Sequence, residues 1–212
     1  MILDNILIDG NKEAKKLLIL AHGAGSPMDS VFMNTIVKGI IERDILVIRF
    51  EFPYMSKRRL GKTSFPDKVP FLCTFYKDIY HKIKKMFPEK DIWIGGKSMG
   101  GRVSAIISKE INVKGVIVLG YPFHPINNLN KLRLECLQNK GPPILIIQGT
   151  RDKFGNKNEV NTYYISSKNS IFWIEDGDHS FNTLKKSKNN SEHSIKNAYF
   201  KVSDFILEEN SN

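Results

Sequence analysis

Ile92-Trp93-Ile94-Gly95-Gly96-Lys97-Ser98-Met99-Gly100-Gly101 is the stretch on which the reading of this chain turns. An apolar run stops at paired glycines, a serine stands between Gly96 and Gly100, and residues of helical character follow from Met99 to Ser108. The spacing is G-x-S-x-G. It describes a strand reversing into a helix through a turn so sharp that the serine is strained and its hydroxyl is pushed out of the fold. A side chain at Gly96 or Gly100 would obstruct that crossing. The five-residue pattern alone recurs by chance, and a glycine-rich strand–helix corner can exist simply for tight packing. The surrounding sequence has to decide.

On either side, apolar strand-like runs alternate with helical segments. Ile2 to Ile8 reads as an edge strand, Lys16 to Ala21 as a buried one, and Ile45 to Phe50, Val113 to Leu119, Ile144 to Ile147 and Ile171 to Ile174 as further strands. Between them, Asp29 or Ser30 can cap a helix with Phe32, Ile36 and Ile40 on one stripe. Val69 to Phe87 reads as a helix stopped by Pro88, and Ile195, Ala198, Tyr199, Val202, Phe205 and Ile206 give a terminal helix one apolar face. Pro53 to Pro66 and Gly120 to Pro143 read as irregular loops, and Lys185 to Ser194 as a polar surface loop. Strands that are apolar throughout and alternate with helices imply a mostly parallel sheet covered on both faces, an α/β architecture. No repeat or linker interrupts it, so residues 1–212 are expected to form a single domain.

Composition narrows the setting. With 41% hydrophobic residues the chain is expected to be globular. No run approaches the twenty or so apolar residues of a membrane span, and Met1-Ile2-Leu3-Asp4 does not open like a signal peptide, so the expectation is a cytoplasmic protein with no membrane partner. Cys73 and Cys136 form neither a disulfide framework nor a metal-ligand pattern; no metal and no cofactor are expected. The net charge of +10 comes from scattered lysines, without the signatures of a nucleic-acid-binding module, and no nucleic acid partner is expected.

A serine hydroxyl becomes a nucleophile only when a base takes its proton, and the base needs a third group to hold its tautomer. In a parallel sheet these groups belong on loops at the carboxyl ends of strands. Asp152 follows the strand Ile144–Ile147, and His179 follows the strand Ile171–Ile174. The order Ser98, Asp152, His179 is that of hydrolases built on this elbow. Asp176 and Asp178 are rivals for the acid, but both share the histidine's own loop. His22, His81, His124 and His193 are rivals for the base; His81 and His193 sit in polar, lysine-bearing segments and His22 reads as structural. Two backbone N–H groups suit a developing oxyanion: that of Met99, directly after the serine, and that of Ala24 in the turn His22-Gly23-Ala24-Gly25. His124, Arg49, Tyr54 and Arg58 are candidates to line the pocket. Arginines there would hold an anionic group, although an internal Arg–Glu pair beside a solvated basic loop accounts for the same residues.

Several segments carry a resemblance: Ala21-His22-Gly23-Ala24-Gly25, Met28-Asp29-Ser30, Arg49-Phe50-Glu51-Phe52-Pro53-Tyr54-Met55, Gly95 to Arg102, Gly120-Tyr121-Pro122-Phe123-His124-Pro125 and Asp176-Gly177-Asp178-His179-Ser180. Together these resemble the small, lidless, dienelactone-hydrolase-like group of the α/β-hydrolase superfamily. That group is related to the testis-expressed protein 30 family and to a subunit of a chromatin acetyltransferase complex. The resemblance spans nearly the whole chain. It implies the α/β-hydrolase fold without a cap domain and a triad of Ser98, Asp152 and His179. True dienelactone hydrolases use a cysteine nucleophile where this elbow carries Ser98, which argues against a dienelactone substrate.

The expected activity is hydrolysis of a small acyl ester or thioester through an acyl-enzyme; transfer to another acceptor would use the same residues. The competing expectation is a hydrolase-fold interaction module without turnover. With no cap, the loops Pro53–Pro66 and Gly120–Pro143 are the expected pocket walls and the site should be shallow and open. Side chains filling the space above Ser98 would indicate a binder; an open groove with basic walls would indicate an anionic substrate.

Overall fold

The structure, a computed structural model, describes residues 6–138 and 141–208. A seven-stranded sheet runs through it. In chain order its strands are β1 (Ile6–Asp9), β2 (Lys16–Ala21), β3 (Ile45–Phe50), β4 (Asp91–Lys97), β5 (Val116–Leu119), β6 (Ile144–Gly149) and β7 (Ser170–Ile174). Their order across the sheet is β1-β3-β2-β4-β5-β6-β7. Every neighbouring pair is parallel except β1 with β3, where Ile6 faces Phe50 and Asp9 faces Val47. The edge strand expected from Ile2 begins at Ile6 among the described residues; Ile2 to Asn5 lie outside them.

The central strands are apolar at consecutive positions because both sheet faces are covered. Leu17, Ile19, Leu46, Ile48, Ile92, Ile94, Val116, Val118 and Ile146 share one core. That face is covered by α3 (Val69–Met86) and α4 (Met99–Ile107). Leu18, Leu20, Ile45, Val47, Trp93, Ile117, Leu119, Leu145 and Ile147 form the other core, closed by α1 (Val31–Ile41) and α7 (Ser191–Glu208). Alternation of side chains about a pleated strand divides each run between the two cores. The stripes read from the sequence land accordingly: Ile36 and Ile40 of α1, and Ala198, Val202 and Ile206 of α7, are buried against the second face. Ser30 caps α1, its hydroxyl accepting from Met33 N at 3.4 Å.

Three segments expected to be irregular contain helix. Pro53–Arg59 forms α2, started by a proline at its first position, where the absent N–H is not missed. Glu135–Gln138 forms the one-turn α5 inside the 120–143 connection, of which Asn139 and Lys140 lie outside the described residues. α7 begins at Ser191, so the polar stretch from Lys185 is a loop only as far as Asn190. A further single turn, α6 (Lys157–Val160), carries a capping box in which Asn156 and Glu159 satisfy each other's backbone N–H groups. No inserted cap domain stands over the carboxyl edge of the sheet among the described residues, and none of their helices is long and apolar enough to cross a membrane.

Candidate active site

β4 runs straight through Gly95, Gly96 and Lys97, and α4 starts at the next residue but one. Ser98 is all that lies between. It takes φ +51° and ψ −111°, a conformation costly for any residue with a Cβ. The glycines are required by space. A Cβ on Gly96 would lie 2.5 Å from the Gly100 carbonyl carbon, and one on Gly100 would lie 2.5 Å from the His22 carbonyl oxygen.

Ser98 Oγ lies 2.9 Å from His179 Nε2, and His179 Nδ1 lies 2.7 Å from Asp152 Oδ2. The three side chains thus stand in one hydrogen-bonded line, each after the carboxyl end of a parallel strand: Ser98 after β4, Asp152 after β6 and His179 after β7. Asp152 is fully buried. Its Oδ1 accepts from Phe154 N at 2.8 Å, and its Oδ2 accepts from Gln148 Nε2 at 2.9 Å as well as facing the imidazole. An ionised carboxylate can only accept, so its contact with Nδ1 fixes the proton there and leaves a lone pair on Nε2 toward the serine. Burial pushes the His179 pKa below its ordinary 6.5, outweighing the opposing pull of Asp152. The ring is therefore unprotonated at neutral pH and can accept a proton. The rival acids are spent or displaced. The Asp178 carboxylate accepts from Ser180 N and Asn182 N within its own turn, and Asp176 sits at φ +55° with its carbonyl held by Arg151 Nε.

The opposite wall is made of backbone. As the first residue of α4, Met99 has an N–H without an intrahelical acceptor. The peptide between Gly23 and Ala24 is gripped from behind: its carbonyl accepts from His22 Nδ1 at 2.6 Å and from the Tyr54 hydroxyl at 3.1 Å. His22 Nε2 in turn accepts from Phe52 N at 3.0 Å, which assigns the proton to Nδ1. Burial lowers the His22 pKa and keeps the ring in this neutral form. In a trans peptide the N–H points away from the carbonyl, so holding the Gly23 oxygen aims the Ala24 N–H the other way. Arg58 Nη1 donates to the following carbonyl, Ala24 O, at 3.2 Å, and its guanidinium lies 5.3 Å from the centre of the Tyr54 ring.

Four candidate pocket residues therefore do other work. Tyr54 is buried and, with Arg58, buttresses the Gly23–Ala24 turn. Arg49 is buried and pairs bidentately with Asp9 at 2.9 Å for both contacts, while its Nη1 donates to Met28 O and Asn34 Oδ1. It ties edge strand β1 to β3. The internal Arg–Glu pair does form, but between Glu51 and Arg59, which also reaches Asp29. His124 is fully buried, facing Pro125 O through Nδ1 and Glu159 through Nε2, while its N–H holds Phe154 O.

Above Ser98 a cavity of about 440 Å³ opens to solvent. Its walls are the turn Gly23–Ser26, the start of α1 from Ser30 to Met33, Lys97, Phe154, His179 and Ser180. A second lobe of about 330 Å³ adjoins it across Phe154, His179 and Ser180, bordered by Ile126, Arg151, Lys153 and Asp178. Among the described residues, the loops expected to form the walls contribute little to these two cavities: nothing from 53–66, and Ile126 alone from 120–143. The first turn of α1 takes their place because the β2–α1 connection folds directly over the sheet edge. Gln148, Phe154 and Lys97 are the further residues at the site. Gln148 had a legible signal, a polar residue closing an apolar strand. Phe154, whose ring centre is 4.5 Å from that of His179, had none.

Comparison with known proteins places the fold. A family model described as an alpha/beta hydrolase domain matches residues 14–207. An α/β serine hydrolase homologue from Coxiella burnetii superposes with a TM-score of 0.70 at 19% identity, covering 98% of this chain and 91% of its own. A lidless α/β serine hydrolase from Xanthomonas campestris gives 0.69 at 15% identity, over 93% and 88%. A dienelactone hydrolase from Anabaena variabilis gives 0.72 at 14%, over 96% and 90%. At such identities the superpositions speak for the fold, whereas the family model spans nearly the whole sheet and each of the loops bearing Ser98, Asp152 and His179. The chain belongs to the α/β hydrolase domain family.

Proposed function

We propose that this protein is a serine hydrolase that cleaves a small acyl ester or thioester. One observation carries the reading: the unbroken line from Ser98 Oγ to His179 Nε2, 2.9 Å, and from His179 Nδ1 to Asp152 Oδ2, 2.7 Å, opening into a cavity that reaches the surface. Ser98 attacks the carbonyl carbon as its proton passes to His179 Nε2. The oxyanion that forms is held by the N–H groups of Met99 and Ala24. His179 returns the proton to the leaving oxygen or sulfur and the acyl group stays on Ser98. Water then attacks the acyl carbon as its proton passes to His179, and His179 returns that proton to Ser98 Oγ as the bond to Ser98 breaks and the acid leaves. Asp152 stays ionised throughout, orienting the ring and stabilising the imidazolium. The relatives from C. burnetii and X. campestris, described as serine hydrolases, are in keeping with this scheme.

The competing reading, an interaction module without turnover, would leave the open cavity and the strained, half-buried Ser98 that lines it without purpose. A fluorophosphonate probe separates the two. The wild-type protein is expected to label covalently and to hydrolyse short 4-nitrophenyl esters. Ser98→Ala is expected to do neither. Equal labelling of both proteins would remove Ser98 from the role, and a wild type inert to probe and esters alike would favour the module.

A further inference from the structure

The cavity above Ser98 contains one charged side chain that the reaction as written does not use. Lys97 precedes the serine in the elbow, and its aliphatic stem passes beneath Gly23. Its Nζ donates to the His179 carbonyl oxygen at 2.8 Å and lies 5.6 Å from the centre of the Phe32 ring. Phe32 and His179 both line the cavity, as Lys97 itself does, so the ammonium sits between two of its walls. Among the described residues no carboxylate pairs with it. Asp152, the nearest in influence, is committed to His179, Gln148 and Phe154 N, and Asp178 is committed to its own turn. Among the described residues no acidic side chain lines the cavity; the remaining wall is hydroxyl, backbone and apolar. One of the three ammonium donors is used by protein, Asp152 and Asp178 act on this half-buried cation only from beyond contact, and a bound anion would pair with it directly.

Resting on the hydrolase reading above, we infer that Lys97 is a specificity residue and that the preferred acyl group carries a carboxylate of its own, bound at Lys97. The two lobes determine which half of the substrate meets Lys97. His179 Nε2 must hand its proton to the leaving atom, so the leaving group departs past His179 toward the second lobe, which Ser98 does not line. The acyl part, bonded to Ser98, remains in the first lobe with Lys97. Burial pushes the Lys97 pKa down to about 8, so the ammonium still holds its proton at neutral pH. The candidate arginines at 49 and 58 are tied to Asp9 and to backbone carbonyls and do not supply this charge. Lys97 does.

The test uses matched pairs of 4-nitrophenyl esters. Monoesters of succinic, glutaric and adipic acid, with spontaneous hydrolysis subtracted, are each compared with the neutral acyl ester of equal chain length at pH 7. In the wild type, kcat/KM for the charged member is expected to exceed that for the neutral one by about ten- to a hundredfold at one of these lengths. That is the range of a hydrogen bond to a charged group. In Lys97→Met the ratio is expected to collapse to about one, chiefly through KM. A purely structural lysine, holding the His179 loop, would lower both rates together and leave the ratio untouched. Since that variant removes a hydrogen bond to the loop, a second measurement uses the wild type alone: glutarate should inhibit competitively and glutaramide should not. Neutral esters hydrolysed without any charged preference, or a preference that survives Lys97→Met, would overturn the inference and leave the hydrolase reading standing. Failure to hydrolyse any ester would remove both.

Discussion

Two loops face each other across Ser98, and they are built on opposite plans. On the side of β6 and β7, the side chains proposed to act on the substrate are presented by a tight framework: Asp152 and His179 project from turns whose backbone is pinned by Gln148 and by the Thr150 and Gly177 contacts. On the side of β2 and β3, the group proposed to act is a backbone N–H, and the side chains stand behind it: His22, Tyr54 and Arg58 all point their polar atoms at the carbonyls of Gly23 and Ala24. The first plan exposes chemistry in the residue types themselves. The second hides it, because charged and aromatic residues that look like substrate contacts are there to hold a peptide plane.

The comparison predicts that single changes on the side-chain wall act on catalysis far more than changes behind the backbone wall. The largest effect is expected from Asp152→Asn. The amide can donate to Nδ1 and so favours the tautomer with its proton on Nε2, where it faces Ser98 and cannot take a proton from it. kcat/KM should fall by roughly 10³- to 10⁴-fold, about 4–5.5 kcal/mol of transition-state stabilisation. Thermal unfolding checks that the variant is folded. A loss below tenfold in a folded variant would show that the imidazole does not depend on this carboxylate and would dissolve the contrast between the two walls.

Next comes Arg49→Met, an effect on stability. Arg49 is 5% exposed and its bidentate partner Asp9 25% exposed, at the β1–β3 junction. Removing it leaves Asp9, Met28 O and Asn34 Oδ1 each short of a donor. A loss of about 3 kcal/mol in unfolding free energy is expected, at the lower end for a broken buried pair because Asp9 keeps some water. kcat and KM of the folded protein should be unchanged, for neutral and for carboxylate-bearing esters alike. A rise in KM confined to charged esters would return Arg49 to the pocket, where the sequence had placed it.

The sequence carried the side-chain wall almost completely. G-x-S-x-G after an apolar strand, an aspartate after β6 and a histidine after β7 are each a residue type at a topological position, and the parallel sheet brings such positions together. The two cores were legible for the same reason, since doubly covered strands are apolar without alternation. What could not be read was direction. Arg49 stands at a strand end and points away from the cavity, toward β1, because the antiparallel edge strand brings Asp9 beside it. His124 lies in a loop next to the site and points into α6, a helix too short to show periodicity. The walls were misassigned because α1 approaches Ser98 through its first turn, a matter of how β2 leaves the sheet and not of any residue in the 53–66 segment. Lys97 stood inside the motif and drew no role, since nothing in a pentapeptide says where its long side chain goes.

The smallest expected effect is the sharpest test of the backbone wall. Tyr54→Phe keeps the ring, its packing against Phe52 and its place beneath the Arg58 guanidinium, and deletes only the hydroxyl. No buried acceptor is left bare: Gly23 O still accepts from His22 Nδ1 at 2.6 Å and Ala24 O from Arg58 Nη1 at 3.2 Å. Stability should therefore change little. One neutral hydrogen bond, worth about 1 kcal/mol, would be lost from the set that aims the Ala24 N–H. If that N–H meets charge only as the oxyanion develops, the loss falls on the transition state. kcat should then drop about fivefold with KM unmoved, and the rate of fluorophosphonate labelling should drop in parallel. An altered KM at constant kcat would mean that Tyr54 meets the substrate itself. Unchanged kinetics would mean that His22 alone suffices to hold the peptide, making the backbone wall as dependent on one histidine as the wall opposite.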